Sequence, residues 1–180
     1  MNNNIYVFKI GYIDNRSYLV KEIEEGRLRQ GWGAMFDDKK PMAIFYGKFK
    51  FLQAWKDNWP LDKTDPKRIN EIFSQLLLMN DFKKGDILVV PNMPEDNYFK
   101  LLKVTDAYRF EYNTGKEKEI DDYRHIVPVK EVATISFDYD SNSEIIFKEI
   151  GLNEKNIYKL DSEEIFKAIN NLILEFNLKY

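Results

Sequence analysis

From residue 81 to residue 129 the chain strings together apolar runs too short for helices and separated by turn-forming residues. A basic turn, Lys83-Lys84-Gly85-Asp86, opens Ile87-Leu88-Val89-Val90; strand-like runs follow at 98–104 and 108–112, and the series closes on His125-Ile126-Val127-Pro128-Val129. Strands of this length on a glycine–aspartate corner predict a small β-barrel, a scaffold that carries a ligand at its mouth.

The flanks add helices. Asp65 ahead of Pro66, with Ile69, Ile72, Phe73, Leu76 and Leu77 at helical spacing, predicts a capped amphipathic helix. Residues 17–25 and 49–59 read as shorter helices, and residues 5–10 as a first strand. Beyond residue 137 the texture changes to a polar break, a run at 145–150 that fits helix or strand, and a terminal helix announced by Asp161 and Glu164. The expected architecture is therefore α+β, with a barrel domain over residues 1–137 and a C-terminal appendage over residues 138–180 ending in an amphipathic helix.

The 180 residues include 44% hydrophobic and 15% aromatic positions, enough for one good core. With no cysteine, disulfides and thiolate metal sites are excluded, and the single histidine, His125, cannot supply a histidine pair. No apolar run approaches the roughly 20 residues that span a bilayer, and Met1-Asn2-Asn3-Asn4 lacks the basic and apolar regions of a signal peptide, so a soluble, cytoplasmic protein is expected. A net charge of −3 argues against indiscriminate coating of nucleic acid. It leaves room for a local cationic rim, for which Arg27, Arg29, Lys83 and Lys84 are the candidates; each also reads as solvated surface.

Catalytic signatures are missing. There is no Glu-x-Lys tripeptide of the restriction-nuclease kind, no Gly-x-Ser-x-Gly elbow and no phosphate loop around Gly31-Trp32-Gly33. The expectation is a non-enzymatic protein with no cofactor and no metal. Aromatic residues are abundant instead. Trp32 between two glycines, Tyr98 after a proline-containing loop, Tyr108 and Trp55 are candidates for a stacking pocket, with burial in the core as the competing reading for each. His125 reads as a structural hydrogen-bonding group at the barrel rim or as a pocket contact.

The strands from Lys84 to Val90, Tyr98 to Val104, Tyr108-Arg109-Phe110 and His125 to Val129, with Gly31-Trp32-Gly33 upstream, resemble the PUA-like superfamily. The resemblance is to its EVE-like members and to the DNA-reading modules of modification-dependent restriction systems. It covers about residues 27–130. It implies a mixed, partly open β-barrel flanked by helices that binds a modified or flipped base, with Trp32 and Tyr98 at the pocket and Tyr108 near its rim. A related branch that hydrolyses acetylated cytidine carries a Gly-x-Lys-x-x-Glu-x-Arg signature, absent here. The expected function is recognition of nucleic acid, DNA with a modified base above all, in restriction, phage defence or counter-defence. A protein-interaction or regulatory adaptor working through the C-terminal helix, including a homodimer, is the alternative; a modified-nucleoside hydrolase is the third.

Overall fold

The computed structural model describes residues 3–10, 15–33, 42–61, 63–112 and 122–177. In chain order the elements are β1 (Ile5–Phe8), α1 (Arg16–Glu24), β2 (Arg27–Gln30), α2 (Lys48–Asn58), α3 (Pro66–Leu77), β3 (Ile87–Pro91), β4 (Tyr98–Val104), β5 (Arg109–Phe110), β6 (His125–Ser136), α4 (Ser141–Gly151), β7 (Ile157–Leu160) and α5 (Glu163–Asn177). The strands form one mixed sheet in the order β2-β6-β4-β3-β1-β7, with β5 paired to β6 beside that path. Among the described strands only β1 and β3 run parallel; the other pairings are antiparallel. The fold is thus α+β with a partly open sheet whose edge strands, among the described residues, are β2 and β7. No helix among the described residues is long and apolar enough to cross a membrane.

Each face of the sheet has its own core, because side chains alternate across a strand. Tyr6, Phe8, Leu88, Val90, Leu102, Val104, Val127 and Val129 face α1, α2 and α3. Ile5, Val7, Ile87, Val89, Phe99, Leu101, Ala133 and Ile135 face α4 and α5. Strands buried on both faces read as unbroken apolar runs, which is why residues 87–90 show no alternation.

β6 serves both cores through one irregularity. The run that closes the expected barrel at residue 129 continues without a break, making β6 a single strand of 12 residues. Leu101 pairs with Ala133 and Leu102 with Glu131, so Val132 is an extra residue bulged out of the ladder. Odd-numbered residues before it face the first core and odd-numbered residues after it face the second.

The helices follow their sequence signals. Asp65 accepts a hydrogen bond from the Lys67 N–H at 3.0 Å, with Pro66 at the first position of α3. A capping box between Asp140 and Ser143 starts α4, deciding the ambiguous run at 145–150 for helix. The expected division at residue 137 cuts through shared structure: β7 pairs with β1, and Ile165, Ala168, Ile169 and Leu172 of α5 are buried in the second core. Residues 138–177 are part of the sheet sandwich, because without them one whole face of β1, β3 and β4 would lie open to water.

Candidate aromatic recognition surface

The site begins where β2 leaves the sheet. Trp32 has φ of 64°, and its N–H donates to Asp122 Oδ2 at 2.9 Å. The Gly33 N–H donates to the Asp122 carbonyl, and a Cβ on Gly33 would sit 2.7 Å from Cβ of Arg124. The glycine after the tryptophan therefore permits the close approach of the segment leading into β6. Arg124 in turn donates to the carbonyls of Glu111 and Tyr112, at 3.1 and 2.8 Å, and so holds the end of β5.

His125 lies fully buried beneath this crossing. A carbonyl can only accept, so the 3.4 Å contact between Nε2 and the Trp32 carbonyl puts the proton on Nε2. Nδ1 is then free to accept from the Tyr108 hydroxyl at 2.9 Å. Burial pushes the imidazole down to about 3, so it is neutral in ordinary buffers; burial also pushes the Tyr108 hydroxyl up. With both nitrogens engaged, His125 acts as a structural post. Trp32, Tyr108 and His125 are brought together, and the Trp32 ring packs partly against the first core.

Above the post lies a ring cluster that sequence reasoning missed. The Phe110 ring meets His125 edge-on at 5.2 Å and Tyr112 at 5.2 Å. Phe45 approaches Phe110 at 6.3 Å, Tyr112 at 6.2 Å and Tyr46 at 4.9 Å. The hydroxyls of Tyr46 and Tyr112 are 3.1 Å apart, and Nζ of Lys50 lies 5.5 Å from the Tyr46 ring centroid. Burial and the Tyr46 hydroxyl push Tyr112 up to about 12. Phe45, Tyr46 and Tyr112 are 54, 42 and 44% exposed. Two signals were there to be read: Tyr108, Phe110 and Tyr112 alternate, which puts three rings on one face, and Phe45-Tyr46 stands immediately before Gly47.

The other expected site residues lie elsewhere. Tyr98 pairs with Ser136 at the opposite end of β6 from His125, so it shares no pocket with Trp32. Trp55 is buried in the first core, its ring 6.3 Å from Phe51 and 4.9 Å from Trp59. Arg29 is 2% exposed, bonded to Glu22, to Glu111 at 2.6 Å and to the Tyr123 carbonyl at 2.9 Å. Arg27 is bonded to Glu22 at 2.6 Å and to Glu25. The turn at Gly26 folds β2 back along α1 and delivers both guanidinium groups to the acids of its last turns. Burial would lower the Arg29 pKa, but its acidic partners raise it further, so the charge is retained and spent within the fold. Both guanidinium groups are engaged by carboxylates within the fold. Lys83 and Lys84 are exposed at the turn before β3, two strands across from β6. No group of three or more histidine, aspartate or glutamate side chains among the described residues could hold a metal ion.

No family model matches the chain, and no curated protein does. A solved structure that matches is the crystal structure of the YTH domain of the Zygosaccharomyces rouxii MRB1 protein in complex with N6-methyladenosine RNA. It is 11% identical, covers 96% of this chain and 87% of its own, and superposes with a TM-score of 0.38. A superposition this loose assigns neither a fold family nor a ligand.

Proposed function

We propose that the protein is a non-enzymatic recognition module that binds a planar ring, a nucleobase in a nucleic acid strand, on the surface formed by Phe45, Tyr46, Phe110 and Tyr112. The observation that carries this reading is the exposure of three of those rings while each of the four touches at least two of the others. Rings in mutual contact at the surface keep apolar area in water that a stacked base would cover. The neutral His125 beneath them adds no charge to repel an aromatic face, and Lys50 at the edge supplies one cation. A modified or flipped base in DNA is the ligand class implied by the PUA-like and EVE-like resemblance, in restriction or a related defence process, and RNA is the competing strand. The adaptor reading loses its main support, since the apolar stripe of α5 is buried in the second core.

The test is fluorescence anisotropy at low salt, with short single-stranded DNA and RNA carrying N6-methyladenine, 5-methylcytosine or no modification. Tyr112→Ala and Phe45→Ala should each lose about 1–3 kcal/mol of affinity while melting with the parent protein. Phe147→Ala, at an exposed ring on the opposite face of the sheet, should bind normally. Absence of binding to every oligonucleotide, or equal losses in all three variants, overturns the reading.

A further inference from the structure

A cavity of about 690 Å³ lies far from the ring cluster, between α3 and the edge of β7 that no other described strand pairs with. It is lined by Lys67, Asn70 and Gln75 of α3 and by Lys155, Ile157 and Lys159 at β7, among others. The backbone along its floor has an unfinished ladder. The Lys9 N–H donates to the Asn156 carbonyl, so residue 156 faces β1 there, and by alternation so do Tyr158 and Leu160. Ile157 and Lys159 therefore turn their peptide groups outward. One outward group is answered: Gln75 Oε1 accepts from the N–H of Ile157 at 3.2 Å, and from that of Asn156 at 2.7 Å. The Ile157 carbonyl and both peptide groups of Lys159 have no partner among the described residues. Asn70 adds a buried Oδ1 atom without a hydrogen bond.

We propose that this edge and groove take up an acidic peptide segment in extended form, as a strand added to β7 and flanked by α3. An edge strand beside a helix offers backbone bonds for affinity and a wall for side chains. The charge chooses the peptide: Lys67, Lys155 and Lys159 line the groove, Lys159 has only a long, exposed contact of 3.7 Å with Asp161, and Glu71 is engaged by Arg68 at 3.2 Å. The same lysines disfavour a second copy of β7, which would set lysine against lysine across the new ladder. A nucleic acid strand fits the lysines but not the outward carbonyls, which need donors that a phosphate does not have.

The probe is a fluorescein-labelled octapeptide of alternating valine and glutamate, compared with its valine–lysine counterpart and with a version N-methylated at alternate backbone amides. The acidic peptide should bind at least about tenfold more tightly than either, since losing one backbone rung or one charge contact is worth that factor. Lys159→Pro removes an outward N–H together with one groove lysine, a change an edge strand tolerates, and should abolish binding, whereas Lys159→Gln, which keeps the N–H, should only weaken it. The pair Lys155→Glu and Lys159→Glu should transfer the preference to the basic peptide, which keeps the test valid if the proline variant fails to fold. Equal binding of the N-methylated peptide, no binding of any peptide, or preference for an oligonucleotide of equal charge overturns the proposal. Phe45→Ala should leave peptide binding unchanged, so failure here is separable from failure of the aromatic surface.

Discussion

His125 and Arg29 show how one side chain can be chemically eligible for a site and structurally committed elsewhere. His125 is buried with its proton assigned by the Trp32 carbonyl, and its pKa falls from the ordinary 6.5 to about 3. The folded form thus refuses a proton that the unfolded chain accepts below about pH 6.5. Stability from this group is complete above that pH and is lost as the pH falls toward 3, by about 1.4 kcal/mol per unit and about 5 kcal/mol over the window. Denaturant titrations from pH 7 to pH 4 should show this slope, and His125→Asn should flatten it even if the variant is less stable throughout. Asp140 contributes mainly at lower pH: burial would raise its carboxyl, but hydrogen bonds led by the Ser143 N–H outweigh that and hold it below the usual carboxylate range. An unchanged slope in His125→Asn would show that the imidazole is not the group responsible. Arg29 is committed more completely, since removing a partner from a buried ion pair leaves the other charge stranded.

Among the elements, β6 is the one on which the architecture turns. Its single bulge at Val132 lets one strand feed Val127 and Val129 to the first core and Ala133 and Ile135 to the second. Deleting Val132 would leave Glu131 opposite Leu102 and Ala133 opposite Leu101 in a regular ladder, so both halves of the strand would keep their faces and both cores their side chains. The expected cost is modest, within about 2 kcal/mol, against about 1 kcal/mol or less for Val132→Ala. Chemical denaturation of the two variants checks this, and a deletion that fails to fold would show that the local twist of the bulge is itself required. β5 is the converse case. It has only two residues, yet its pairing of Phe110 with His125 and the clamp of Arg124 on the carbonyls of residues 111 and 112 set the ring cluster in place.

For the molecule as a whole, charge predicts how it binds. The net charge is −3, Arg27 and Arg29 are engaged in ion pairs, and Lys50 is the one cation recorded against these rings among the described residues, so a bound strand should neutralise few phosphates. Affinity for a single-stranded oligonucleotide should fall with the logarithm of salt with a slope no steeper than about −1.4, the value for two phosphate contacts. A slope several times steeper would require a cationic surface elsewhere. The elements were largely legible in the chain: Asp65-Pro66 announced α3, Gly85 the turn into β3, and the apolar period of residues 165–172 the buried stripe of α5. Each rests on interactions within a few residues, where spacing and capping act directly. The assignment of side chains to the site was not legible in the same way. Whether Arg29 meets phosphate or Glu22, whether Trp55 lines a pocket or fills a core, and whether Tyr98 or Tyr112 stands beside His125 depend on which strands pair and in what register. Those choices are made by contacts between residues tens of positions apart, and composition and local periodicity carry no record of them.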